Sequence, residues 1–212
     1  MRPLMICLHA SESNIEIMER SLHGMPFDVR HVVDTHLLNI IREQKPLAEQ
    51  KSYAKTKIME LVKQEPALIL VTCTNYIVLL DQIAPFTNIP ILKIDELLFE
   101  QLKGIQSPIK MLFTNKHTID GTIARLKKYI STEIELEVVY IPDVFDWYLA
   151  GDKLGHDQKV LSTLLELDTY ENTVVVAQLS MANIAEIYSK LSGDVVISPI
   201  TAIKTFMNSL IE

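Results

Sequence analysis

Ala67-Leu68-Ile69-Leu70-Val71-Thr72-Cys73-Thr74-Asn75-Tyr76 is the stretch that decides how the chain is read. Apolar residues run into a polar turn, and from Ile77 an apolar helical pattern takes over at Leu79 and Leu80. The pattern predicts a buried strand that stops on the turn and hands over to a helix. Cys73 stands at the handover. Helix N–H groups point outward there and lower a thiol pKa from about 8.5, so chemistry is expected at Cys73 first. The other reading of Cys73 is a small buried core residue.

Similar units flank this one. Leu4–His9 reads as a strand and is followed by a helix with Ile15, Met18 and Leu22 on one face, opened by a Ser13/Glu16 capping box. Phe27–Val33 is a second strand, residues 34–45 are loop with a short helical piece, and Pro46 opens a longer helix. Ile89–Ile94 is a strand and Glu96–Lys103 a helix. The order repeats with strands at Ile109–Phe113, Glu135–Ile141, Thr173–Ala177 and Val195–Ser198, and with helices between them. Pro142–His156 is the least regular stretch. The last helix follows Pro199, with Ile203, Phe206 and Leu210 inward. Strands alternating with helices of about 10–15 residues imply α/β architecture with mostly parallel sheets.

Bulk properties narrow the classes. The chain has 212 residues, 48% of them hydrophobic, and a net charge of -7. No basic run tracks a phosphate backbone, which argues against nucleic acid. No apolar run approaches the roughly 18 residues of a membrane span. The two cysteines, Cys7 and Cys73, have no partner at zinc-site spacing, so no metal is expected. A reduced, cytoplasmic setting fits them best. Cys7 lies mid-strand and is assigned to the core. With only six glycines and no phosphate loop at a strand end, a nucleotide-binding domain is excluded.

The halves overlay at a constant offset. Leu4 falls on Ile109, Cys73 on Gln178 (178 − 73 = 105), Ile91 on Val196, and Phe27–Val33 on Thr132–Val138. Two similar α/β lobes with a shared cleft are the expectation. Ligands of open α/β sheets bind beyond the carboxyl ends of strands. That rule collects Ser11, Thr72, Cys73, Thr74, Asn75, Lys93, Thr114, Asn115, Gln178, Ser180 and Ser198. Several are ordinary turn or cap residues, yet hydroxyls, amides and backbone N–H groups are also what binds a carboxylate. Lys93 reads either as a solvated charge near Asp95 and Glu96 or as a cation facing an anionic ligand.

Five pieces in chain order resemble the aspartate/glutamate/hydantoin racemase superfamily. They are Val71-Thr72-Cys73-Thr74, Ile89-Pro90-Ile91-Leu92-Lys93, Leu149-Ala150-Gly151-Asp152 with His156-Asp157, Ala177-Gln178-Leu179-Ser180-Met181-Ala182, and Ser198-Pro199-Ile200-Thr201-Ala202. The resemblance implies two pseudo-symmetric three-layer α/β domains with the active site in the cleft between them. Residues 1–95 with 195–212 would form the first lobe and 96–194 the second. It also implies a cofactor-independent racemase or isomerase acting at the carbon α to the carboxylate of an amino acid or related small acid. Typical members use two cysteines, one removing the α-proton and the other returning a proton to the opposite face. Cys73 matches the first. Gln178 stands at the second, and an amide cannot deliver a proton as a general acid.

Catalytic roles are therefore expected of Cys73 as thiolate base, of Gln178 as a hydrogen-bonding group for carboxylate or enolate, and of His156 as replacement proton donor. Ser11, Thr74, Asn75, Lys93, Thr114, Asn115 and Ser180 are the substrate-binding candidates. The bland readings are a helix cap for Gln178 and Ser180, and a solvated loop for Asp152, His156 and Asp157. Two alternatives to the racemase stay open: a non-catalytic small-carboxylate binder or sensor, and a one-cysteine decarboxylase or lyase. A homo-oligomer is left open.

Overall fold

A computed structural model describes residues 2–130, 133–167 and 169–209. Thr132 and Leu210, both assigned roles from sequence, lie outside them. The apolar run of the opening stretch becomes β3 (Leu68–Val71), and Thr74–Leu80 becomes α4, with Thr72 and Cys73 between them. Before them come β1 (Leu4–His9), α1 (Ser13–Leu22), β2 (Asp28–Val33), α2 (His36–Arg42) and α3 (Leu47–Val62). After them come β4 (Ile91–Lys93), α5 (Ile94–Leu102), β5 (Ile109–Phe113), α6 (Ile119–Tyr129) and β6 (Leu136–Tyr140). The chain ends with α7 (Val144–Leu149), α8 (Lys153–Glu166), β7 (Thr173–Val176), α9 (Leu179–Ser192), β8 (Val196–Ile197) and α10 (Pro199–Ser209).

The strands form two four-stranded sheets, ordered β2-β1-β3-β4 and β6-β5-β7-β8. Every pairing is parallel. Strand composition follows from position. The central strands β1, β3, β5 and β7 are nearly continuous apolar runs because helices cover both faces. The edge strands β2 and β6 carry exposed polar residues such as Asp28 and Glu137. In the second sheet Leu112, Val174 and Val176 pack with Val160, Leu164, Met181 and Ala185 from α8 and α9. Each such aliphatic side chain contributes about 1.5–3 kcal/mol by leaving water.

Three sequence expectations change. The offset of 105 is kept between the third and fourth strands, where Ile69 pairs with Ile91 and Val174 with Val196. With Leu4 placed on Ile109, Met5 pairs with Leu68 and Lys110 with Val174, so the third strand sits at 174 − 68 = 106. At the second strand, however, Leu4 pairs with Asp28 while Ile109 pairs with Leu136, so the offset there is 136 − 28 = 108. Residues 195–212 were expected with the first lobe. Instead β8 pairs with β7, Val196 enters the second core, and Thr201 and Thr205 of α10 hydrogen-bond Gln101 of α5. The chain divides into units Met1–Ile94 and Asp95–Glu212. Finally, α1 is preceded by Glu12 with no side-chain cap, and Ser13 instead pairs its hydroxyl with that of Ser11 at 2.7 Å.

Candidate active site

In the first unit, Cys73 stands two residues past the end of β3 in extended conformation (φ -93°, ψ 113°) and immediately precedes α4. It is 8% exposed. The sulfur makes no capping hydrogen bond of ordinary geometry. Burial pushes the thiol up to about 11; the Tyr76 and Asn75 N–H groups pull it down, and the charge of Asp34 pushes it up further. The helix end was expected to leave the thiol below its usual value. Desolvation outweighs it, because two N–H dipoles of a short helix do not replace the water that the sulfur has lost. Cys7 is fully buried and pushed up to about 12, as a core thiol should be.

Two polar networks surround this strand end, and neither was expected. Asp34 directly follows β2 and is buried. Its carboxylate accepts hydrogen bonds from the Tyr53 hydroxyl at 3.1 Å, from the Tyr76 hydroxyl and from the His36 N–H at 3.0 Å. On β1 and β2, His9 and His31 stack and are bonded ring to ring at 2.9 Å. His9 Nδ1 also meets the Thr72 hydroxyl at 2.8 Å. That hydroxyl donates to the Leu8 carbonyl, so it accepts from His9 Nδ1–H, and His9 Nε2 then accepts from His31. His9 is thus held neutral; burial, then the neighbouring His31, lowers its pKa to about 3. The strand-end rule, applied to β2 as it was to the other strands, would have found Asp34. The histidine pair had no signal, since side-chain pairing across parallel strands depends on register.

In the second unit, Gln178 stands at the same place between β7 and α9 (φ -122°, ψ 143°). Its Oε1 accepts from the Thr114 N–H at 2.7 Å, the Thr114 hydroxyl at 2.9 Å and the Asn115 N–H at 3.1 Å. Backbone N–H groups cannot accept, so the atom facing them is the amide oxygen. The Nε2 end has no partner among the described residues and is left as a donor. Asn115 Oδ1 is used locally, accepting from the His117 N–H. Thr114, Asn115 and Gln178 are therefore brought together, with Gln178 filling a cradle of three donors.

The other candidates fall out differently. Lys93 pairs with Asp81, while Asp95 and Glu96, expected near it, pair with Arg125. Ser11 is half-buried and bonded to Ser13. Thr74 and Asn75 lie half-buried in the first turn of α4. Ser180 is not the cap of α9: it lies inside the helix with a buried, unpartnered hydroxyl. His156 belongs to α8 rather than to a loop, and Asp152 caps that helix through the Gly155 N–H at 2.9 Å. The His156 ring is fully buried against Tyr148, with Nδ1 bonded to Asp157 at 2.7 Å and Nε2 unpartnered. Burial lowers its pKa despite Asp157. A buried, neutral imidazole is poorly suited to donate a proton near neutral pH.

Among the described residues no cluster of three or more His, Cys, Asp or Glu side chains is arranged to hold a metal, and no helix is long and apolar enough to cross a membrane.

No protein-family model matches the sequence, and neither does any curated protein. Solved structures do match. Glutamate racemase from Francisella tularensis, in complex with D-glutamate, superposes with a TM-score of 0.72 at 15% identity, covering 99% of this chain and 80% of that one. Aspartate racemase from Picrophilus torridus gives 0.70 at 12%, covering 96% and 91%. Allantoin racemase from Klebsiella pneumoniae gives 0.69 at 12%, covering 99% and 87%. The chain has the α/β fold of these racemases. At this identity the likeness speaks for the fold, and the chemistry rests on the residues.

Proposed function

We propose that the protein is a cofactor-independent racemase- or isomerase-like enzyme acting at the carbon α to the carboxylate of a small acid, with Cys73 as the proton-transferring group. The observation that carries this is the station of Cys73, at the carboxyl end of a central parallel strand, in the fold shared with aspartate, glutamate and allantoin racemases. A thiolate formed in so dry a place is a strong base, which suits removal of a weakly acidic α-proton. Its cost is population: a thiol near 11 is ionised to about one part in ten thousand at pH 7, roughly 5 kcal/mol uphill. Gln178 offers an oriented N–H donor to an anionic ligand and cannot act as the second acid or base.

A second reading is favoured by the same thiol. Burial keeps Cys73 protonated, which suits a group that hands a proton to a carbanion left by loss of CO2, a reaction that needs only one acid. Incubation with candidate amino acids, 2-substituted acids and malonates in D2O separates the two. Stereochemical inversion with α-deuterium uptake supports the racemase; CO2 release with one deuterium in the product supports the decarboxylase. Cys73→Ser should abolish either. Full turnover in that variant would remove Cys73 from the mechanism.

A further inference from the structure

Asp34 ties three helices to one point. Its carboxylate is held by Tyr53 of α3, by Tyr76 of α4 and by the first N–H of α2 at His36. The Tyr53 ring also packs on the His36 ring, with centroids 5.0 Å apart. Tyr76 is fully buried and stands three residues after Cys73, and its own N–H is one of the two that favour the thiolate. The hydroxyl of Tyr76 therefore anchors on Asp34 the same turn whose backbone faces the sulfur. Desolvation and the Asp34 contact raise the Tyr76 hydroxyl too, so it is a fixed donor and not a titrating one.

The titratable groups around this carboxylate are Tyr53 with Glu60 behind it on α3, His36 on α2, Tyr76 and Cys73 on the β3–α4 side, and His9 on β1, whose carbonyl accepts the Asp34 N–H at 2.8 Å. The side-chain donors to Asp34 are neutral hydroxyls. Neutral donors stabilise a carboxylate without cancelling its field, so the charge still reaches the sulfur.

We propose that Asp34 is a positioning residue for Cys73, holding the first turn of α4 against the sulfur through Tyr76 and setting the charge that the sulfur faces. This rests on Cys73 being the reacting group. The consequence is a thiol whose reactivity is restrained by design of its surroundings and released when Asp34 is neutralised.

The test is the pH profile of Cys73 alkylation by iodoacetamide, read by peptide mass so that Cys7 does not contribute. Asp34→Asn keeps an acceptor for Tyr76 and removes the charge. Its midpoint should move acidward by about one pH unit, with roughly tenfold faster alkylation at neutral pH. Tyr76→Phe keeps the charge and removes the anchor, and should move the midpoint the other way. Should Asp34→Asn fail to fold, the alkaline shift in Tyr76→Phe still tests the anchor. A wild-type profile in folded Asp34→Asn, or in Tyr76→Phe, overturns the proposal. The readout needs no substrate: loss of the enzymatic reading would appear as turnover retained in Cys73→Ser, with the alkylation profiles unaffected.

Discussion

Cys73 and Gln178 occupy one station in two copies of the same strand order, yet their surroundings have opposite character. Each stands two residues past the third strand of a β2-β1-β3-β4 type sheet, in extended conformation, and leads into a helix. Around Cys73 the groups are protonic and acidic: a buried carboxylate, two phenols and a neutral histidine pair. Around Gln178 they are donors, two N–H groups and a hydroxyl, already satisfied by a neutral carbonyl. The backbone frame fixes where a side chain stands; the neighbouring strand ends decide whether it exchanges a proton or holds still. In the first unit the deciding group is Asp34, at the end of β2 and one strand beyond β1; in the second it is Thr114, at the end of the adjacent β5.

The comparison can be broken most severely on the first-unit side with acid. The pKa of His9 is lowered in the fold to about 3 from an ordinary 6.5, so the unfolded chain binds the proton first. Its contribution is fully present above about pH 6.5 and is lost as pH falls toward 3, a change of about 3–5 kcal/mol in urea unfolding measured across that window. His31, also lowered, acts in the same direction. His9→Asn should flatten the profile.

Smaller effects should come from cutting each network. Asp34→Ala strands the buried Tyr76 hydroxyl and should cost about 3 kcal/mol in chemical denaturation. Gln178→Leu leaves three donors without an acceptor and should cost about 2 kcal/mol, while Gln178→Glu, which supplies an acceptor of the same shape, should cost less than Gln178→Leu. If Gln178→Leu is neutral, the cradle is not what fixes this strand end. Tyr53→Phe removes one half-exposed hydroxyl and should cost about 1 kcal/mol or less by thermal melting.

Much of the fold was legible because apolar runs and helical periodicity report burial directly. Strands Leu68–Val71 and Thr173–Val176 are such runs. The place of residues 195–212 was not legible, because the pairing of β8 with β7 depends on contacts between residues distant in sequence. The site was half legible. Cys73 and Gln178 could be found from their neighbours in the chain, and Thr114 and Asn115 from the ends of strands. The donor cradle that links the last three could not, nor could the ring-to-ring bond of His9 and His31, which needs Cys7 opposite His31 and Leu8 opposite Val32 in register. Lys93 and His156 looked available because their local sequences are charged, and Asp81 and the α7–α8 packing claim them instead.

The most direct measurement compares two variants at the paired stations: α-deuterium uptake in D2O, on an acid the wild-type protein turns over, by Cys73→Ser and Gln178→Ala. The account predicts no uptake with Cys73→Ser and continued uptake with Gln178→Ala, with weakened substrate binding. Uptake that survives in Cys73→Ser and vanishes in Gln178→Ala would contradict it.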